Sequence, residues 1–322
     1  MQLDYILAFL ITLVVTLLVM PGVIRFLHRI KFGQTEREEG LASHKVKNGT
    51  PTMGGVVFIL VPLIVYAFMR PSALSEPSVW IVMLAYVGYG LIGFIDDYLI
   101  VVKKNNDGLK PGVKFAMQSV LAIVFFLLYR STASTEITVP LLGWTFDLGW
   151  LYFVLVFFMF TAESNAVNLT DGLDGLCAGV SVIALFPYVI FALLQGQQDL
   201  GVLLLCVIGA LMGYLKFNLH PAKVFMGDTG SMFLGGMVTA LAFIMGRPEL
   251  VFFFGIVYIW DAMTVVIQRV YFKLTHGKRI FRMTPIHHAF EMRGWKEVKI
   301  DFFFSLIAII GVVLGLMYVY MA

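Results

Sequence analysis

Charged side chains are scarce in this sequence. Asp, Glu, Lys and Arg make up 13% of its 322 residues, against 60% hydrophobic ones. A water-soluble domain carries about 25% charged residues, so the composition excludes an ordinary soluble fold and points to a bilayer. No polar block long enough to form a soluble domain interrupts the apolar sequence. Cysteine is nearly absent: Cys177 and Cys206 lie in separate apolar segments, which excludes a disulfide framework and a thiolate metal site. No basic stretch precedes the first apolar run, MQLDYILAFL, and that run outlasts a signal core, so a retained helix is expected rather than a cleaved signal. No repeat, low-complexity tract or hinge divides the chain, and residues 1–322 read as a single integral membrane domain. The net charge is only +3, and no nucleic-acid partner is expected.

What is present is a series of apolar runs near the roughly 20 residues that a membrane helix needs. Ten are expected, near 3–27, 53–69, 79–100, 113–130, 150–167, 176–194, 200–217, 231–246, 250–272 and 301–321. The fold class is therefore all-α and polytopic. With ten spans, both termini lie on one side. The connections on the other side, with their flanks, hold 20 of the 23 Lys and Arg residues, and the sparse side holds Arg70, Arg130 and Arg247. The positive-inside rule makes the rich side cytosolic and both termini extracytoplasmic. Two Asn-X-Thr sequons, at Asn48 and Asn168, then fall on the cytosolic side and are discounted. Residues 131–149 alternate polar and apolar around Pro140 and Gly143, as a small external hairpin would.

On the cytosolic side lie all six histidines and a group of acids. Asp96 and Asp97 sit in YGLIGFIDDYLIVVKK, read as the end of the third span. A carboxylate in a bilayer costs roughly 2.5 to 3.5 kcal/mol, and the C-terminal dipole of a helix disfavours acids. Adjacent helical residues point about 100° apart, so one metal rarely takes both; one acid could serve a metal or substrate while its neighbour tunes charge. The plainer alternative is an anionic helix end facing Lys103 and Lys104. In NAVNLTDGLDGLCAG, Asp171 and Asp174 share a face if the segment is helical, and Asn168, Asp171 and Asp174 exceed what one helix cap needs. Asp228 precedes the eighth span in VFMGDTGS, where small residues and exposed amides favour an anion and the carboxylate could hold a hard cation; a plain N-cap is the alternative. His287 and His288 in RMTPIHHAFEMRGW are adjacent rather than four apart, which excludes a helical zinc pair and suits hydrogen bonds to phosphate or a base. Lys45 and Lys47 precede the turn GTPTMGG. Acids, Lys, His and Gly-rich turns on one face suit a Mg²⁺-bridged phosphate substrate, because oxygen ligands favour Mg²⁺ over zinc and phosphoryl transfer needs positioning and charge neutralisation. A transporter would instead bury ionisable groups within its spans, and Asp261 and Glu163 are the inner candidates.

The motifs GTPTMGG, GFIDDY, NLTDGLDGL, FNLHPAKVFMGDTGS and PIHHAFE occur in this order. Together they resemble those of the polyprenyl-phosphate N-acetylhexosamine-1-phosphate transferases, and within them the phospho-N-acetylmuramoyl-pentapeptide transferase branch. The resemblance implies transfer of phospho-MurNAc-pentapeptide from UDP-MurNAc-pentapeptide to undecaprenyl phosphate, giving lipid I and UMP, with Mg²⁺, at the cytosolic face of a bacterial inner membrane. It makes Asp96 and Asp97 the paired catalytic acids and Asp228 the magnesium ligand. Asn168, Asp171, Asp174, Asn218 and Gln268 would line the nucleotide pocket, Lys47 and Thr52 would belong to the substrate-binding turn, and Lys114 would lie near the acceptor phosphate. His287 and His288 match a run of three histidines whose third position is Ala289 here, which puts an essential third imidazole in doubt. Homodimers are common in such a family, although no motif in this sequence encodes one. The alternative within the resemblance is a GlcNAc-1-phosphate transferase.

Overall fold

The computed structural model describes residues 2–30, 49–103, 108–139 and 143–321. Its axis is helix α8 (Gly227–Ile244), in which every residue except Asp228 and Ile244 is buried. Helices α2 (Gly55–Met69), α3 (Pro77–Lys103), α5 (Tyr152–Thr170) and α6 (Leu176–Leu194) pack around it. Helix α4 (Pro111–Thr132) lies against α3 and α5, and α1 (Gln2–Arg29) lies outside against α7 (Gln198–Asn218) and α2. The outer helices turn side chains such as Leu18, Phe68 and Phe302 outward, as a lipid-facing surface requires.

Eight described helices are long and apolar enough to cross a membrane, and nine if one bent pair counts as a span. The second expected span, near 53–69, is α2, with only 15 residues. At 1.5 Å per residue it reaches about 22 Å, short of the roughly 30 Å hydrocarbon core. It stops because Pro71 opens a 3-10 turn, Pro71–Ser75. The ninth expected span is broken at Gly255 into α9 (Val251–Phe254) and α10 (Ile256–Leu274), bent by 84°. Gly311 of α12 (Glu297–Tyr320) fits against the break, where a Cβ would strike the Phe253 carbonyl. Between α10 and α12 lies the short helix α11 (Ile286–Glu291).

Two expected boundaries move. Helix α3 continues to Lys103, so Asp96 and Asp97 lie well inside it and the end-of-helix dipole does not bear on them. Helix α8 begins at Gly227, so Asp228 belongs to its first turn rather than preceding it. At the end of the molecule away from these acids, Arg70 joins Asp4 at 2.7 Å and Asp199 at 3.6 Å. The expected hairpin is there too, with β1 (Glu136–Val139) antiparallel to β2 (Trp144–Asp147).

Helices α3 and α8 cross so closely at Gly93 that a Cβ there would collide with the Asp228 carbonyl. Gly93→Ala must push the helices apart, and overpacking of this kind costs about 1–3 kcal/mol. The expected result is a lower melting temperature for the solubilised protein. Gly112→Ala, where a Cβ meets nothing within 4 Å, should leave it unchanged. Equal melting temperatures for the two variants would disprove the close crossing.

Candidate active site

The first amides of a helix have no intrahelical partner and carry partial positive charge. At α8 a carboxylate from another helix answers both. Asp97 accepts the Asp228 N–H on Oδ1 at 3.1 Å and the Thr229 N–H on Oδ2 at 2.9 Å, and the Thr229 hydroxyl donates to Oδ2 at 2.6 Å. Only 4% of Asp97 is exposed. Both oxygens accept hydrogen bonds from the start of α8, so Asp97 fixes the backbone that carries Asp228.

Asp96 faces another way. Its Oδ1 accepts the Leu109 N–H at 2.5 Å, and its Oδ2 accepts from Lys114 Nζ at 3.1 Å. Lys114, in the first turn of α4, also donates to Asp228 Oδ2 at 2.5 Å. Asn168, near the end of α5, donates to Asp228 Oδ1 at 2.8 Å and to Ser231 Oγ at 2.9 Å. Asp96, Lys114, Asp228 and Asn168 thus form one continuous chain across α3, α4, α8 and α5. Three carboxylates gather near one ammonium, so carboxylate oxygens outnumber the cation that pairs with them. The chain borders a cavity of about 580 Å³ that also reaches Gln118 and Asn165. Beside it an apolar cleft of about 500 Å³ runs between α3 and α4, lined by Leu91, Ile92, Val113, Ala116 and Leu121 among others.

The remaining expected residues fall into adjoining groups. Residues 51–55 lie along 225–226: Phe225 N–H donates to Pro51 O and Gly54 N–H to Phe225 O, both at 2.8 Å, seating α2 beside the start of α8. Thr52 in this turn is buried. Lys47 lies outside the described residues. Asp171 caps the C-terminus of α5 and the segment after it is a turn, so it and Asp174 do not share a helical face as expected. Asp174 instead accepts the Ala222 N–H at 2.9 Å, with its Oδ2 3.1 Å from His220 Nδ1, and its own N–H donates to Glu297 at 3.1 Å. Asn218 accepts the Gly175 N–H at 3.1 Å. Asp174, His220 and Glu297 could together ligate a metal.

His287 is fully buried, its Nδ1 2.9 Å from Asp261 Oδ2. The dyad sets the ring's orientation. Its Nε2 has no hydrogen-bond partner among the described residues. A Cβ at Gly172 would run into Nε2 of both His287 and His288, so the imidazoles face the backbone of the turn after Asn168. His288 Nδ1 lies 2.7 Å from Glu291 Oε2. Gln268 stands apart from the Asp228 cluster; its Oε1 accepts the N–H groups of Ile280 and Phe281 at 3.1 and 3.0 Å. Sequence reasoning missed Thr229, Ser231, Gln118 and His220, and it read Asp261 as an inner acid rather than as the partner of His287. A lone acid in an apolar helix was the available signal.

With this geometry in place, the chain can be set beside known proteins. A profile described as Glycosyl transferase family 4 matches residues 79–246, and phospho-N-acetylmuramoyl-pentapeptide-transferase signature 1 matches residues 47–59. The protein of that name from Bacillus subtilis is 46% identical over 305 residues, 94% of each chain. The one from Geobacillus thermodenitrificans is 44% identical over 314 residues, 97% of this chain and 96% of its own. The one from Listeria monocytogenes is 41% identical over 311 residues, 95% of each. The chain belongs to the phospho-N-acetylmuramoyl-pentapeptide-transferase family. The family signature covers Lys47 and Thr52, and the broader profile covers Asp96, Asp97, Lys114, Asn168, Asp171, Asp174, Asn218 and Asp228. The profile ends before Asp261, Gln268, His287 and His288.

Proposed function

We propose that this membrane transferase moves phospho-MurNAc-pentapeptide from UDP-MurNAc-pentapeptide to undecaprenyl phosphate, releasing UMP and forming lipid I on the cytosolic face of the bacterial inner membrane. The observation that carries the reading is the Lys114 ammonium held between Asp96 and Asp228 beside a polar cavity. The surplus of carboxylate oxygens there fits Mg²⁺, which Asp228 would hold and which would supply neutralisation of the diphosphate charge.

The acceptor is a phosphomonoester with a second pKa near 6, so at neutral pH most of it is already a dianion. One of its oxygens attacks the β-phosphorus of the donor. A new P–O bond forms, the bond from β-phosphorus to the bridging oxygen breaks, and its electron pair leaves with UMP. Asp96 takes the residual proton of the acceptor and positions it. Lys114 meets the incoming phosphate as a mobile point charge. Asp97 keeps Asp228 in place. One phosphoanhydride replaces another, so the reaction is readily reversible and depends on later steps to draw it forward. The apolar cleft between α3 and α4 offers the polyprenyl tail a path from Lys114 into the bilayer.

The test is UMP release by purified protein with UDP-MurNAc-pentapeptide, undecaprenyl phosphate and Mg²⁺. Equal or faster release from UDP-GlcNAc would favour the GlcNAc-1-phosphate alternative and overturn the assignment. Orientation is tested separately. Because Cys177 and Cys206 are fully buried, an introduced thiol dominates labelling. Ser134→Cys should react with an impermeant maleimide added outside whole cells, and Thr284→Cys should not. Outside labelling of Thr284→Cys would overturn the cytosolic site.

A further inference from the structure

Arg269, Lys273, Arg279 and Arg282 surround a pocket of about 510 Å³ at the end of α10, with Gln268 and Phe281 also in its wall. All four cations are exposed, no carboxylate lines the pocket, and among the described residues none of the four makes an ion pair. Arg279 lies 5.9 Å from the Phe272 ring centroid. Cations beside a membrane are commonplace, but these converge on a concavity that is tied to the active site. Asp261, Thr264 and Gln268 form one buried face of α10. Asp261 holds His287 at one end of that face, and Gln268 holds the backbone of residues 280 and 281 at the other. The seven-residue separation is about 10 Å along a helix, and five extended residues span up to about 17 Å.

We infer that this pocket binds the carboxylate-bearing peptide of the donor, with Arg279 and Arg282 as its principal anion contacts. The inference rests on the proposed transfer reading, which supplies a pentapeptide with a C-terminal carboxylate. Arg side chains pair with carboxylates through two parallel N–H bonds, and Phe272, Phe281 and Met283 offer apolar surface to the residues between. The peptide then determines donor selectivity away from the reacting phosphorus.

Equilibrium binding to the full-length protein in nanodiscs tests this without turnover. The ligands are UDP-MurNAc-pentapeptide, the same donor with an amidated C-terminus, and UDP-MurNAc. The wild type should bind the intact donor about ten-fold tighter than UDP-MurNAc. Arg279→Gln combined with Arg282→Gln should remove most of that difference while leaving UDP-MurNAc binding unchanged, and Lys273→Gln should act in the same direction. The amidated donor should bind less tightly than the acid. Equal weakening for all ligands, no weakening, or a wild type that ignores the peptide would each overturn the inference. Unchanged donor binding, with a lost preference for phosphatidylglycerol over neutral lipid in the nanodiscs, would assign the pocket to a lipid headgroup instead. Selective binding without UMP release would count against the transfer reading and leave the peptide site standing.

Discussion

Asp228→Asn is expected to lower UMP release by at least about a hundred-fold and to raise the Mg²⁺ concentration needed for half-maximal activity. The substitution keeps shape, removes charge and leaves one acceptor oxygen where Lys114 and Asn168 each donate to one of two. The Asp228 carboxylate is the shared partner of Lys114 and Asn168, and it sits at the N-terminus of α8 where negative charge is held well. A cation that neutralises transferring phosphates supplies several kcal/mol of transition-state stabilisation, and each ~1.4 kcal/mol is ten-fold in rate. Lys114 retains Asp96 as a partner in the variant, so the melting temperature should stay close to wild type. That pairing of results separates lost chemistry from lost fold. Near-normal turnover with an unchanged Mg²⁺ titration would remove Asp228 from the cation site.

Much of this site was legible because its residues come in contiguous motifs. Asp96 with Asp97, Asn168 with Asp171 and Asp174, and Asp228 in its small-residue turn stand in short stretches of the chain, and hydropathy placed all of them at one end of the helices. The pairings were not legible. Thr229 reaches Asp97 across 132 positions, and His287 reaches Asp261 across 26. No periodicity encodes which helix ends meet, since that depends on packing around α8. Small residues permit such packing without announcing it: Gly93 reads as one more residue of an apolar run, yet its missing Cβ lets α3 touch α8 beside the acids. The end of α3 was misjudged for a local reason. Tyr98–Leu99–Ile100–Val101–Val102 carries no breaker, so the helix continues past Asp97. The bend at Gly255 was hidden likewise, because the hydropathy of α9 and α10 is continuous across it.

The adjacent acids should separate cleanly in experiment. Asp96 touches Lys114 and the cavity, so Asp96→Asn should lower kcat with the Mg²⁺ optimum little changed and the melting temperature near wild type. If Asp96 handles the acceptor's residual proton, the defect should shrink between about pH 6 and 9. The acceptor's second pKa is near 6, so it still carries protons at the acid end and has none left for Asp96 to take at the alkaline end. Asp97 is different. Its carboxylate accepts two backbone N–H groups and one hydroxyl from the start of α8. Asparagine there turns an amide donor toward backbone donors and leaves buried groups unsatisfied, a loss of about 2–4 kcal/mol. Asp97→Asn should therefore lower the melting temperature by several degrees and depress activity at every pH, and Thr229→Val should show a weaker version of both. A wild-type melting temperature in Asp97→Asn, together with a raised Mg²⁺ requirement, would assign Asp97 to the support of the metal instead. Identical pH and stability profiles for the two variants would end the division of labour. A phosphorylated Asp96 trapped with the UDP donor alone would replace the single displacement by a two-step transfer through the enzyme.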